Sequence, residues 1–259
     1  LMEGSKEILS TFNLENYITS LNIQAVIFDL DNTVFLTDDY YITKKQNAYL
    51  EIAQLFPIKG LSPEEIMKQM SDAVHKKFVE RNCKPLPVIE EYEQGLKEFY
   101  QENFHPQMSE ILNKHFFGFY NNSPEIIPEA IPLFHFLYSY PQISFFAANT
   151  LAGQGWTQVK IEQMKKMCGI DEIPFYTTEI ENLKDWGKPV SDALNMGLSF
   201  QNILVIGDSL DSDILPARSL GVKNLIWIDR RNQYNTLEQS SIKQDLHVVK
   251  SLNEVWEIE

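Results

Sequence analysis

Runs of basic residues, clusters of cysteine and long apolar stretches are all missing from this chain of 259 residues. Lysine and arginine together number 22 against 36 aspartates and glutamates, a net charge of -14. A surface of that sign repels nucleic acid and anionic membranes at long range, so neither is expected as a partner. A small anionic substrate is still allowed, because it needs only a cation and a few basic groups in one cleft. Two cysteines, Cys83 and Cys168, are too few for a disulfide framework or a zinc site, and both are expected as reduced thiols. No apolar run approaches the ~20 residues of a membrane-spanning helix. The opening "LMEGSKEILS" has no apolar signal core, so a cytoplasmic location is expected. The five histidines, His75, His105, His115, His135 and His247, lack metal-binding spacing. "AGQGW" holds Gly153 and Gly155 but not the third glycine of a dinucleotide fingerprint, and reads as a loop.

What is present is core material. Apolar residues make up 44% of the chain, with 16 Phe, 11 Tyr and 4 Trp, which predicts a folded globular protein. Residues 5–20 are amphipathic and predict a helix. "IQAVIFDLD", Ile23 to Asp31, is a short apolar run ending in carboxylates, the pattern of a strand buried on both faces. From Thr37 onward the texture changes. "YYITKKQNAYLEIAQLF", "SPEEIMKQMSDAVHKKFVERN", "PVIEEYEQGLKEFYQENF" and "SEILNKHFFGFY" carry helical spacing, and Ser62 with Glu65 forms a capping-box pattern. After Pro132, strands and helices alternate: "QISFFAANT", "WTQVKIEQMKKMCGI", "PFYTT", "PVSDALNMGL", "NILVIGD", "SDILPARSLG", "NLIWIDR" and "LHVV". Such alternation predicts a parallel sheet covered on both faces. The expected fold is therefore α/β: a Rossmann-like parallel-sheet core of residues 1–36 and 132–259, with a helical cap domain, residues 37–131, inserted after the first core strand.

Two strand ends carry the candidate chemistry. In "FDLDNTV", Asp29 and Asp31 stand two residues apart, and a sharp turn after the strand would bring both into one cleft. The alternative is a capping aspartate followed by a turn-forming Asp-Asn pair. In "LVIGDSLDSD", Asp208, Asp211 and Asp213 crowd together after a strand and repel one another unless a cation is shared. Helix capping accounts for Asp211 or Asp213 but hardly for Asp208 as well. In open α/β sheets, ligands sit at the carboxyl ends of the strands. Carboxylates delivered there from two strands make an oxygen site for a hard cation, which Mg²⁺ fits best. Between the two lies "WGKPVSDAL", where Lys188 precedes a proline at a helix start and is placed to offset negative charge and bind a phosphoryl oxygen.

With these motifs in this order, the chain resembles the haloacid dehalogenase-like (HAD) hydrolase superfamily, in its capped phosphatase branch. "DLDNTV" is similar to the first motif, "GKP" holds the lysine of the third, and "GDSLDSD" is similar to the fourth. The resemblance covers the core and not the helical insert. It implies that Asp29 is the nucleophile that forms an aspartyl-phosphate. Asp31 is then the acid for the leaving alkoxide and the base that activates water. Asp29, the backbone carbonyl of Asp31 and Asp208 hold Mg²⁺, with Asp213 in or near the same shell. Lys188 stabilises the nucleophile and the transferred group. One motif departs from the pattern: Ala148 stands where the second-motif hydroxyl is expected, so Thr150, with Asn149 beside it, is expected to hold the phosphoryl group. Dehalogenases of the superfamily lack an acid at the position of Asp31, so the resemblance implies a phosphatase acting on a small phosphorylated metabolite.

Other readings stay open at this stage. A phosphomutase or another phosphotransferase would use the same core, and a non-catalytic interaction protein could be built on the same scaffold. The string "GDSL" around Ser209 also names a family of serine esterases, which would make Ser209 the nucleophile. In the insert, His75, Lys76, Lys77, Arg81 and Lys84 concentrate positive charge. An ordinary solvated helix face is the preferred reading of that group, with a second anion site as the alternative. Tyr40, Tyr41, Lys44 and Lys45, just after the first motif, are candidates to face the cleft.

Overall fold

The computed structural model describes residues 13–82, 84, 86–178, 182–230, 232–236 and 246–258, which fall into two compact units. The described residues of 13–36, 123–178 and 184–258 make the first, and those of 37–122 with 182 and 183 make the second.

The first unit is built on a parallel six-stranded sheet. Its strands are β1 (Ala25–Phe28), β2 (Phe145–Asn149), β3 (Phe175–Tyr176), β4 (Ile203–Gly207), β5 (Asn224–Ile228) and β6 (Leu246–Val249), in the order β3-β2-β1-β4-β5-β6. Alternation along each strand sends successive side chains to opposite faces, and the sheet has a separate core on each. Val26 and Phe28 face the same side as Phe146, Ala148, Leu204 and Ile206. Helix α1 (residues 13–20) covers that face with Leu14 and Ile18. Helices α6 (Ala130–Ser139) and α7 (Gln154–Cys168) add Phe134, Leu137, Ile161 and Met164. Ala25 and Ile27 face the other side with Ile203, Val205, Leu225 and Trp227, under Val190 and Ala193 of α8 (Gly187–Asn195) and Ala217 of α9 (Leu215–Ser219). Every residue of β1 is fully buried. Each large apolar side chain so buried stabilises the fold by about 1.5–3 kcal/mol, which is why these strands read as unbroken apolar runs.

The second unit is helical: α2 (Thr37–Leu55), α3 (Pro63–Glu80), α4 (Val88–Tyr100) and α5 (Pro106–His115). Helix α3 starts with the capping box expected from its sequence: Ser62 Oγ accepts from the Glu65 N–H, and Glu65 accepts from the Ser62 N–H at 2.8 Å. Gly95 lets α3 and α4 approach closely, since a Cβ there would collide with Val74. The basic group on α3 is matched by carboxylates: Lys76 and Lys77 pair with Glu98, and Arg81 with Glu91. It is thus an ion-paired helix face. Tyr40 and Tyr41 both pack at a tilt against Phe119, and Lys44 lies over the Tyr40 ring.

The insert ends earlier than the expected residue 131. Residues from Ser123 onward belong to the first unit, because Ile126, Ile127 and Ala130 are in its core. Pro132, taken as the break, instead sits in the first turn of α6, where a missing N–H costs little.

Four of the histidines have structural settings: His105 caps α5, His115 bonds Glu51, His135 bonds the Cys168 carbonyl, and His247 packs edge-on to Tyr17. Cys168 is a buried thiol whose pKa burial pushes up to about 11. Cys83 lies outside the described residues. Among the described residues no helix is long and apolar enough to cross a membrane.

Candidate active site

The order of the sheet reverses direction at β1, whose neighbours are β2 on one side and β4 on the other. Strand order reversals of this kind open a crevice at the carboxyl ends of the strands, and the candidate residues stand there. Asp29 continues the ladder from β1, its N–H donating to the Ile206 carbonyl at 2.9 Å. The chain then turns sharply. Val34 and Phe35 both donate to the Leu30 carbonyl, and Asn32 takes a positive φ of 57°, a conformation asparagine tolerates better than most residues. This turn holds Asp31 beside Asp29 rather than on the opposite face of a continued strand.

The loop after β4 brings the other carboxylates. Single ligand atoms from Asp29, Asp208 and Asp213 all lie within 4.8 Å of one another. Gly207 is required for this approach: a Cβ there would lie 2.5 Å from Asp213 Oδ2. A single turn of π-helix, Leu210–Ile214, carries Asp213 inward, while Asp211 is exposed. Ser209 caps that turn, its Oγ accepting from the Ser212 N–H at 3.1 Å, and its own N–H donates to Asp213 Oδ2. Ser209 is therefore a loop anchor. Two buried indoles clamp the same loop from behind. Trp227 donates to the Asp208 carbonyl at 2.9 Å and Trp186 to the Ser212 carbonyl at 2.7 Å.

The lysine at these carboxylates is Lys184, and this corrects the expectation for Lys188. Lys184 is buried, with Nζ 2.5 Å from Asp29 Oδ1 and 2.6 Å from Asp213 Oδ1. Lys188 is exposed on the first turn of α8, 5.9 Å from the centre of the Tyr176 ring. Helical phase explains the difference. Val190 packs into the core, and Lys188, two residues away at ~100° per residue, points to the opposite side. The same phase was available in the sequence as a signal against Lys188. Asn149 reaches the loop that carries Lys184, donating to the Asp185 carbonyl at 3.0 Å.

Asp31 is held by two groups from the β2 side. Thr150 Oγ1 donates to its Oδ2 at 3.1 Å, and Lys160 Nζ on α7 lies 2.7 Å from its Oδ1. Thr150 thus reaches Asp31 directly, as a hydroxyl placed two residues past Ala148. Lys160 escapes attention in the sequence because lysines abound in α7. Its signal is phase: with Trp156, Ile161, Met164 and Cys168 it lies on the buried stripe of the helix, where a lysine is unexpected.

The electrostatics follow from this packing. Burial pushes the Asp29 carboxyl well above the ordinary carboxylate range; Lys184 opposes the shift, while Asp213, Asp31 and Asp208 add to it. Burial alone would depress the Lys184 ammonium, but Asp213 and Asp29 more than reverse this and raise it. The site holds four carboxylates against the ammonium groups of Lys184 and Lys160. Acid is in excess among these described residues, and a cation shared by Asp29, Asp208 and Asp213 would offset it. The donors are all oxygen, and glycine keeps their cradle open, so the residues present fit Mg²⁺.

Comparison with known proteins follows the same line. Residues 185–255 match a family model described as HAD-hydrolase-like. Among solved structures, a haloacid dehalogenase-like family hydrolase from Xanthomonas campestris is 16% identical with a TM-score of 0.65, covering 91% of this chain and 93% of its own. A HAD phosphatase from Thermococcus onnurineus is 17% identical with a TM-score of 0.53, covering 91% and 97%. A 2-haloacid dehalogenase from Pseudomonas syringae is 15% identical with a TM-score of 0.55, with the same two coverages. No curated protein matches the sequence.

Proposed function

We propose that this chain is a HAD-like hydrolase and, within that group, a phosphatase of small phosphorylated metabolites; the match of residues 185–255 to a HAD-hydrolase-like family model and the similarity of its fold to a haloacid dehalogenase-like hydrolase support the first part. Solved structures of similar fold include both a phosphatase and a dehalogenase, so the fold does not choose between them. The observation that carries the choice is Asp31. It stands beside the buried Asp29 and is fixed there by Thr150 and Lys160. Attack on an alkyl halide needs no proton donor, because halide leaves as an anion. An alkoxide leaving from phosphorus needs one.

In this reading Asp29 Oδ attacks the phosphorus of the substrate ester, and the P–O bond to the alcohol breaks. Asp31 gives its proton to the departing oxygen. The aspartyl-phosphate on Asp29 is then hydrolysed. A water molecule, losing its proton to Asp31, attacks phosphorus, and inorganic phosphate leaves with both carboxyls restored. Lys184 holds Asp29 in place and meets charge that develops on the phosphoryl oxygens. Mg²⁺, held by Asp29 and Asp208 with Asp213 at their side, would shield the nucleophile from its anionic target and stabilise the phosphoryl charge. The indole clamps and Gly207 fix the loop that supplies these carboxylates, so that they need not rearrange during reaction.

The test is release of phosphate from p-nitrophenyl phosphate and from a panel of phosphorylated metabolites. Turnover that requires Mg²⁺ and falls by at least ~10³ in Asp29→Asn supports the reading. A protein that turns over no phosphoester with Mg²⁺ present, or an Asp29→Asn variant as active as wild type, refutes it.

A further inference from the structure

We infer that Lys160 is a positioning residue for Asp31, and that the pair makes α7 part of the reaction's proton-handling machinery. The inference rests on the phosphatase reading above and assigns a role to a residue outside its motifs. Lys160 has no exposed side-chain surface, yet its ammonium lies 2.7 Å from Asp31 Oδ1 and 4.2 Å above the Trp156 ring. A lysine so buried is costly unless its charge is answered. A helix that only needed to cover the sheet would carry a Leu or Met at this position, in phase with Ile161 and Met164. The lysine instead spends its whole length reaching one carboxylate at the sheet's edge.

Asp31 needs such a hold. Its side chain is 24% exposed, in contrast to 6% for Asp29 and 1% for Asp213. A carboxylate open to water on one side rotates freely unless tied, and a proton donor must sit within hydrogen-bond reach of the leaving oxygen. Thr150 and Lys160 take one oxygen each, Oδ2 and Oδ1, so the plane of the carboxylate is fixed by two bonds from two different elements, the end of β2 and the middle of α7. Trp156, one turn before Lys160, presents its ring face to the ammonium.

A residue acting through Asp31 should matter most where a proton must be delivered. An alkyl phosphate has a poor leaving group and depends on Asp31, whereas p-nitrophenolate leaves without help. Lys160→Met is therefore expected to lower kcat/KM, which reports the step that expels the alcohol, on an alkyl phosphate by ~10²-fold or more. On p-nitrophenyl phosphate the loss in kcat/KM should be at least ~10-fold smaller, while kcat, which includes the shared hydrolysis of the aspartyl-phosphate through Asp31, should fall on both. Lys160→Arg should recover part of the alkyl phosphate loss. Thr150→Val removes the second bond to Asp31 while keeping its shape, and should show the same selectivity. It carries the test alone if Lys160→Met does not fold. Equal losses of kcat/KM on both esters, or faster alkyl phosphate turnover after either substitution, would overturn the inference while leaving the phosphatase reading in place. A wild-type protein inactive on both esters with Mg²⁺ would instead sink the phosphatase reading, and this inference with it.

Discussion

Replacing Lys184 by Gln removes the one ammonium that bridges Asp29 and Asp213, and the consequence can be worked from the geometry. Both carboxylates stay buried, with side-chain exposures of 6% and 1%, and neither keeps that cation. Breaking a buried ion pair from one side typically costs about 3–5 kcal/mol. For a folded unit of this size each kcal/mol shifts Tm by about 2–4 °C, so the low end alone predicts a fall of about 6–12 °C. Thermal denaturation in a chelator at about pH 8 should show it. The loss should shrink as pH falls, because burial raises the Asp29 carboxyl and a proton taken up there relieves the deficit. Addition of Mg²⁺ should stabilise the variant, by about 2.7 kcal/mol at a hundred times its Kd. Turnover in the presence of Mg²⁺ should still fall by ~10²–10³, the usual cost of losing a donor aimed at developing charge. Lys188→Gln is the control. That side chain is exposed, so its stability should change by less than about 0.5 kcal/mol. If Lys184→Gln proved neutral and Lys188→Gln damaging, the assignment of the site lysine would be wrong.

Two further outcomes follow from neighbouring features. Gly207→Ala places a Cβ against Asp213, so the loop must shift; Mg²⁺ or Mn²⁺ affinity, read by titration calorimetry, should drop by ~10–100-fold, and an unchanged affinity would mean that the cradle is not a metal site. Asp229 is buried, which alone would raise its carboxyl, but Lys250 and the N–H groups of Tyr234 and Gln233 hold it below the ordinary range. A depressed folded pKa gives stability that is present above the unfolded value and lost as pH falls. Asp229→Asn should therefore cost about 1–3 kcal/mol near neutral pH, and in urea melts its gap from wild type should close below about pH 3.9; a gap independent of pH would refute the ion pair.

Much of this architecture is legible in the sequence because burial on two faces writes itself plainly. β1 and β4 are apolar runs that end in carboxylates, and the register pairs Phe28 with Ile206 and Ala148, so both acidic strand ends arrive at one edge. The capping box of α3 is equally plain, because it is local chemistry. What the sequence hides is long-range. Lys184 and Lys188 sit four residues apart in one loop–helix segment, and only the inward phase of Val190 and Ala193 separates them. Lys160 meets a partner 129 residues away, a pairing that no local pattern records. The end of the insert is displaced for a related reason: a proline marks a break in sequence, yet in the first turn of a helix it breaks nothing.

The junction at the start and end of the insert has a consequence for how such a chain folds. Leu36 donates to the Glu125 carbonyl at 2.8 Å, and Phe35 bridges Ile126 in antiparallel fashion. The polypeptide thus leaves the sheet-bearing unit and returns to it at one zipped point. Closing a flexible loop grows costlier only slowly with its length, by about 0.6 kcal/mol for each doubling. A helical insert whose two ends are already fastened together imposes still less on the strands it separates. To β1 and β2 the whole insert has the topological weight of a hairpin turn. Segments of very different length and sequence can occupy that point without disturbing the pairing of Ala25 with Phe145. Selection on the insert is thereby uncoupled from selection on the carboxylates at the sheet's edge, and the insert is free to diverge while they stay in register.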